Sequence, residues 1–207
     1  NIGKKYIIHG TAALAVVRSM GLEAAEPQWF MTGSIGKSHA NSHVSIPSDI
    51  GITDSDLDRS DTSYTIGGGV NYGIYSFTVS YEQLGDSSAS YTGDTLDTVL
   101  FHQTLVNVAP KLVDGISLQG QYTLWQDEAL SASIGAGLFA WDLYYTSRLN
   151  DSVIKVDEDD VDFIYNLQVA YAITEQVQVS LKASRYSLSV NDINNVAIGL
   201  TYSLKQI

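Results

Sequence analysis

The stretch that decides the fold is "NNVAIGLTYSL", residues 194–204. Val196, Ile198, Leu200, Tyr202 and Leu204 fall on one face, and Ala197, Gly199, Thr201 and Ser203 on the other. A period of two is the mark of a β-strand, because successive side chains leave opposite faces of the pleat. One face is wholly apolar and the other is small or polar. What remains to decide is whether the apolar face looks inward at a core or outward at something other than water.

The same alternation recurs upstream, in "WFMTGSIGK" from Trp29, "YTIGGGVNY" from Tyr64 and "YSFTVSYE" from Tyr75. It continues in "ISLQGQYTL" from Ile116, "LSASIGAGLFAW" from Leu130, "VDFIYNLQVAYAI" from Val161 and "VQVSLKAS" from Val177. With the terminal segment these predict eight strands. The connections alternate too. Gly73-Ile74, "QDEA" (126–129) and "TEQ" (174–176) are tight turns, whereas 37–62, 84–115 and 146–160 are long and polar, with a shorter link at 189–194. Tight turns at one end and long links at the other describe an up-and-down meander with two unlike ends. The segment "TLDTVLFHQTLVNV" (95–108) has enough β-branched and apolar residues to pair. It is expected to extend the flanking strands past the barrel rim or to form a small extra hairpin; a ninth spanning strand would break the alternation of short and long links.

The chain has 207 residues, a suitable length for one all-β domain, with 23 acidic and 11 basic residues and a formal net charge of -12. That balance argues against a nucleic-acid partner, since a phosphate backbone needs a cationic footprint. The absence of Cys excludes disulfides and thiolate metal sites. No apolar run is long enough for a membrane-spanning helix. The first residues read differently from the rest. Lys4 and Lys5 precede the mostly apolar "YIIHGTAALAVV" (6–17), and small residues follow. This is the pattern of a secretory signal, so residues 1–26 are set apart from a single barrel domain over 27–207.

Three features place the apolar face outside. The opposite face is Gly, Ser, Thr, Ala, Asn and Gln, which suits a narrow, filled, hydrogen-bonded lumen and would make a poor water-facing surface. Charged residues are only 16% of the chain, and most acids fall in the links. Finally, Trp29, Tyr72, Tyr75, Tyr122, Tyr171 and Tyr202 gather near the tight-turn end. Such a ring is expected where lipid tails give way to headgroups. The expected fold class is an all-β, eight-stranded antiparallel transmembrane barrel, because a closed sheet leaves no unpaired backbone in hydrocarbon. A lipocalin-like barrel, with the apolar face inside, is the soluble alternative.

The stretches "YTIGGGVNYGIYSFTVSYEQLG", "ISLQGQYTLWQDEALSASIGAGLFAWDLYY" and "AIGLTYSL" resemble the small OmpA/OmpX-type outer-membrane β-barrels of Gram-negative bacteria, over about residues 28–205. The resemblance implies an outer-membrane location, short periplasmic turns, long extracellular loops, and handling by the barrel-assembly machinery. That family usually closes on an aromatic residue. This chain instead runs "YSLKQI", with Tyr202 and Leu204 at the expected alternate positions.

Several constellations could carry chemistry. By parity Glu82 and Lys182 point into the lumen, where a charge needs partners. They are expected to join Gln119, Gln121, Asn166 and Gln168 in a polar network, a narrow ion path being the functional alternative. Arg185 is outward at the far end of its strand, placed to meet lipopolysaccharide phosphates. His39 and His43 lie near Ser38, Ser42 and Asp49, but no strained nucleophile turn accompanies them, and a solvated loop is the expectation. His102 is expected at a paired strand position. Asp54, Asp56 and Asp58 have the spacing that opens an EF-hand loop, yet Arg59 stands where that loop needs Gly and no Glu follows at its twelfth position. Asp157–Asp160 is read as solvated acid, like Asp54–Asp58. No metal, cofactor or catalytic residue is expected. The reading is a non-enzymatic barrel in an envelope-structural or adhesin-like role, in contact with the lipid bilayer and lipopolysaccharide. The alternatives are a barrel enzyme acting on lipid A or phospholipid, and a narrow channel.

Overall fold

A computed structural model of the chain describes residues 26–41, 52–93, 111–149 and 152–205. Its strands are β1 (Gln28–Asn41), β2 (Ile52–Asp58), β3 (Ser60–Tyr72), β4 (Tyr75–Gln83), β5 (Ser88–Gly93), β6 (Asp114–Gln126), β7 (Leu130–Leu149), β8 (Ser152–Ala172), β9 (Val177–Ser187) and β10 (Asp192–Ser203). Eight of them close into a barrel in the order β1–β10–β9–β8–β7–β6–β4–β3. Every neighbouring pair is antiparallel, and β1 shuts the ring by pairing with both β10 and β3. These are the eight strands that the alternation predicts. No helix among the described residues is long and apolar enough to cross a membrane.

The turns at one end are as short as expected. Between β3 and β4 only Gly73 and Ile74 intervene, and Gly73 takes a φ of 58°. That left-handed conformation is what a two-residue hairpin turn demands and what Gly adopts without a steric penalty.

The other end corrects the sequence reading. The stretch 146–160 is not a polar link: β7 and β8 stay paired up to Leu149↔Ser152, far past the last β6–β7 pair, Asp114↔Asp142. The link 37–62 is not a plain loop either, and the link 84–115, where pairing is expected, holds a strand at 88–93. They contain β2 and β5, which pair with each other in a separate two-stranded sheet from Asp58↔Ser88 to Ile52↔Gly93. The segment 95–108 lies outside the described residues, as do residues 1–25, 42–51 and 206–207.

The apolar faces point outward all round the barrel. Met31, Ile66, Val79, Leu118, Leu138, Leu167, Leu181 and Ile198 are all exposed. One irregularity breaks parity. The β6–β7 register slips between Thr123 and Trp125, so Leu124 and Trp125 are both exposed although they are adjacent in sequence. A bulge of this kind adds one residue to a strand and flips the faces beyond it.

The interior is not uniformly polar, and here too the expectation needs correcting. At the long-link end it holds a dry cluster that includes Ala40, Leu84, Leu112, Val113, Phe139, Trp141, Leu143, Ile164, Tyr186, Leu188 and Ile193. Phe139 and Tyr186 meet edge to face with ring centroids 5.0 Å apart. Burying each such large apolar side chain contributes about 1.5–3 kcal/mol. The barrel is thereby stoppered at that end.

Candidate functional site

Below the stopper, inward-facing polar side chains form a bonded layer. Glu82 is fully buried. Its Oε1 accepts from Ser117 Oγ at 2.5 Å and from Gln119 Nε2 at 2.7 Å, and its Oε2 accepts from the Tyr186 hydroxyl. Asn166 Nδ2 donates to Gln119 Oε1 at 2.8 Å, and Gln121 Nε2 donates to Asn166 Oδ1 at 3.0 Å. Gly135 makes room for this last pair, since a Cβ there would lie 2.7 Å from Asn166 Nδ2 and 2.8 Å from Gln121 Cγ. Across the lumen, Asn195 Nδ2 donates to Ser38 Oγ at 2.8 Å and also to Ser63 Oγ. A buried carboxylate is costly unless its lone pairs are used, and three donors use those of Glu82.

Of the six residues expected in the lumen network, the structure brings Glu82, Gln119, Gln121 and Asn166 together. Gln168 and Lys182 are not bonded to them; both line a cavity below. Sequence reasoning missed Ser117 and Tyr186. Parity places Ser117 inside, but a hydroxyl among many small residues carries no distinguishing signal. Tyr186 lies beyond the predicted end of its strand.

The cavity occupies the tight-turn half of the barrel and has a volume of about 320 Å³. Its wall is mostly Ser, Thr and Gln, and among the described residues its charged members are Lys182 and, at the turn end, Glu175. Open wet space thus ends at the Glu82 layer, with the apolar stopper beyond it.

On the outer surface Trp29, Tyr122, Tyr171 and Tyr202 are exposed near the tight-turn end, while Tyr72 and Tyr75 are half-buried. Tyr75 packs on Tyr122 with ring centroids 5.5 Å apart. Arg185 is outward at the other end, where its Nη2 bonds Asp192 Oδ2 at 2.5 Å.

Of the candidate Ser/His set, Ser38 and His39 do not come together. Ser38 is fully buried in the lumen, whereas its neighbour His39 is exposed on the other face, with Nδ1 2.7 Å from Ser60 Oγ. Ser42, His43, Asp49 and His102 lie outside the described residues. The two acidic runs are in strands rather than loops. Asp54, Asp56 and Asp58 pair along β2 with Thr92, Ser90 and Ser88. Alternation divides Asp157–Asp160 between two faces of β8, and the face of Glu158 and Asp160 makes the contacts: Glu158 Oε2 lies 3.7 Å from Lys111 Nζ, and Asp160 Oδ2 accepts from Ser189 Oγ. No group of His, Asp or Glu among the described residues has the geometry to hold a metal ion. Beyond the apolar belt, the Asp61 carboxyl is held below the usual carboxylate range. The Asp86 backbone N–H is the main cause, followed by that of Thr62, with a smaller contribution from Lys37.

A closed antiparallel barrel with an apolar outside and a polar, stoppered inside is a transmembrane β-barrel. Solved structures agree with that class. The chain is similar to neisserial surface protein A (TM-score 0.55, 12% identity, covering 85% of this chain and 97% of that one). It is likewise similar to Ail, the attachment invasion locus protein of Yersinia pestis (TM-score 0.54, 9% identity, covering 86% and 99%). No protein-family model matches the chain, and no curated protein sequence does. The chain thus shares the eight-stranded fold of these small outer-membrane β-barrels.

Proposed function

We propose that this barrel is a non-enzymatic outer-membrane protein with an envelope-structural or surface-interaction (adhesin-like) role, its long-link end outside the cell and its tight turns in the periplasm. The observation that carries the reading is the stopper. Among the described residues, Phe139, Ile164, Tyr186 and Ile193 pack together above a satisfied Glu82 layer, which supports a lumen closed to ions. What the chain offers its surroundings is therefore its outer end, where β7–β8 and the β2–β5 sheet carry acidic residues past the rim. On this reading the six ring aromatics sit at the periplasmic headgroup level. Arg185, oriented by Asp192, sits at the level of lipopolysaccharide phosphates. The separation of Ser38 from His39 speaks against a lipid-modifying enzyme built on that pair.

The test joins sidedness to conductance. A cysteine replacing Ser55 is expected to react with a membrane-impermeant maleimide on intact cells, and one replacing Glu175 is not. The purified chain in planar bilayers is expected to show no steady conductance. Equal labelling of both positions would reverse the orientation, and a stable porin-like current would overturn the closed lumen.

A further inference from the structure

The inner face of the barrel carries two consecutive cross-strand rows that differ sharply. The upper row, Gln121, Gly135, Asn166 and Ser184, follows from the register Gln121↔Gly135↔Asn166↔Ser184, and its two amides are bonded to each other. One step toward the periplasmic end lies Thr123↔Ser133↔Gln168↔Lys182. All four side chains of this lower row line the 320 Å³ cavity. Among the described residues, none of the four side chains has a hydrogen-bond or ion-pair partner. The row therefore presents two hydroxyls, a carboxamide and an ammonium side by side, with their donors turned to open space.

We infer that this row is a binding site for a small oxyanion, such as phosphate, entering from the tight-turn end. Charge selects the ligand. The chain's formal net charge is -12, yet the deep wall of this cavity has one formal charge, and it is positive. The neighbouring acid, Glu82, is bonded on both oxygens by Ser117, Gln119 and Tyr186, and Lys182 is not among its partners. Glu175, the other charged wall residue, belongs to the turn at the mouth. Lys182 can thus supply the counter-charge for an anion while the amide of Gln168 and the hydroxyls of Ser133 and Thr123 donate to further oxygens, and charge-assisted bonds of this kind are the strong ones. Space permits it, since at about 30 Å³ per water the cavity holds roughly ten waters, more than a partly hydrated phosphate displaces. This site is separate from the proposed role of the outer end and does not depend on it.

The test uses the full chain folded in lipid nanodiscs, with inorganic phosphate titrated at constant ionic strength against chloride. The amide signals of Ser133, Gln168 and Lys182 are expected to shift together and to saturate. In Lys182→Gln the apparent Kd is expected to rise at least tenfold, while Lys182→Arg keeps binding within a few-fold. Should Lys182→Gln fail to fold, the double change Ser133→Ala with Gln168→Leu keeps the cation and is expected to weaken binding several-fold. Shifts that stay linear in phosphate, that persist unchanged in Lys182→Gln, or that appear only at the outer end would overturn the site.

Discussion

Leu167 and Gln168 are neighbours on β8, yet Leu167 is 60% exposed on the outer belt while Gln168 lines the wet cavity. Replacing each with Arg puts the same charge on the two sides of one strand. Leu167 stands four residues from Tyr171 of the aromatic ring. At a rise of about 3.3 Å per residue that is ~13 Å along the strand, or ~10 Å along the membrane normal at a tilt of about 40°. An apolar band ~25 Å tall then puts Leu167 near its middle, where an added cation costs about 2–4 kcal/mol. Leu167→Arg is therefore expected to weaken folding into vesicles by about 30- to 700-fold, at about 1.4 kcal/mol per factor of ten. Gln168→Arg enters water beside Lys182, and repulsion between two cations about 4 Å apart in water is only about 1 kcal/mol. Its cost is expected near that value. The assay is reversible urea unfolding from phospholipid vesicles, followed by tryptophan fluorescence. Equal costs for the two variants, or folding of the chain in plain buffer, would mean that the apolar face is not in lipid.

Tyr186→Phe keeps the ring in the stopper but removes the hydroxyl that bonds Glu82 Oε2, and it is expected to cost about 1–3 kcal/mol for the buried acceptor left bare. The paired variant Tyr186→Phe with Glu82→Gln should recover part of that loss in the same unfolding assay, and no recovery would show that the two groups are not coupled. The Asp61 carboxyl is held low by backbone donors, so it stabilises the corner between β3 and the link after β4 above the usual carboxylate pKa, and that contribution is lost as pH falls through its own lowered value. Hydrogen exchange at the Asp86 amide is therefore expected to lose protection on acidification to below about pH 4, while Asp61→Asn should lack this acid-dependent step, and an identical profile in both would refute it.

The barrel was legible because one rule runs through it. Each spanning strand repeats apolar and small-polar residues at period two, and lipid tolerates no exception on the outer face, so even "NNVAIGLTYSL" declares its medium. The rule stops where the membrane does. Asp157, Glu158, Asp159 and Asp160 look like a solvated loop because acids dominate there. In the structure they extend β8, and backbone pairing with β7, which needs no apolar face, holds them. The stopper escaped notice for a related reason. Phe139, Ile164 and Tyr186 fall on the inner face by parity, but a large apolar residue at an inner position looks like noise against so many Ser and Thr. The lumen network was partly visible, since Glu82 and the amides stand out inside a narrow barrel. That Lys182 stands apart from it depends on the stagger between β4 and β9 around the ring, which local spacing does not contain.

The two halves of the lumen also behave as unequal elements in series along the membrane normal. Filled with water, the lower half would conduct, while the apolar cluster of the upper half would insulate. An imposed potential therefore drops almost wholly across the stopper, and a unit charge carried over it would do about 2.3 kcal/mol of work per 100 mV. Lys182 and anything bound beside it stay at the potential of the tight-turn compartment and feel little of the field. Glu82 stands where the field begins.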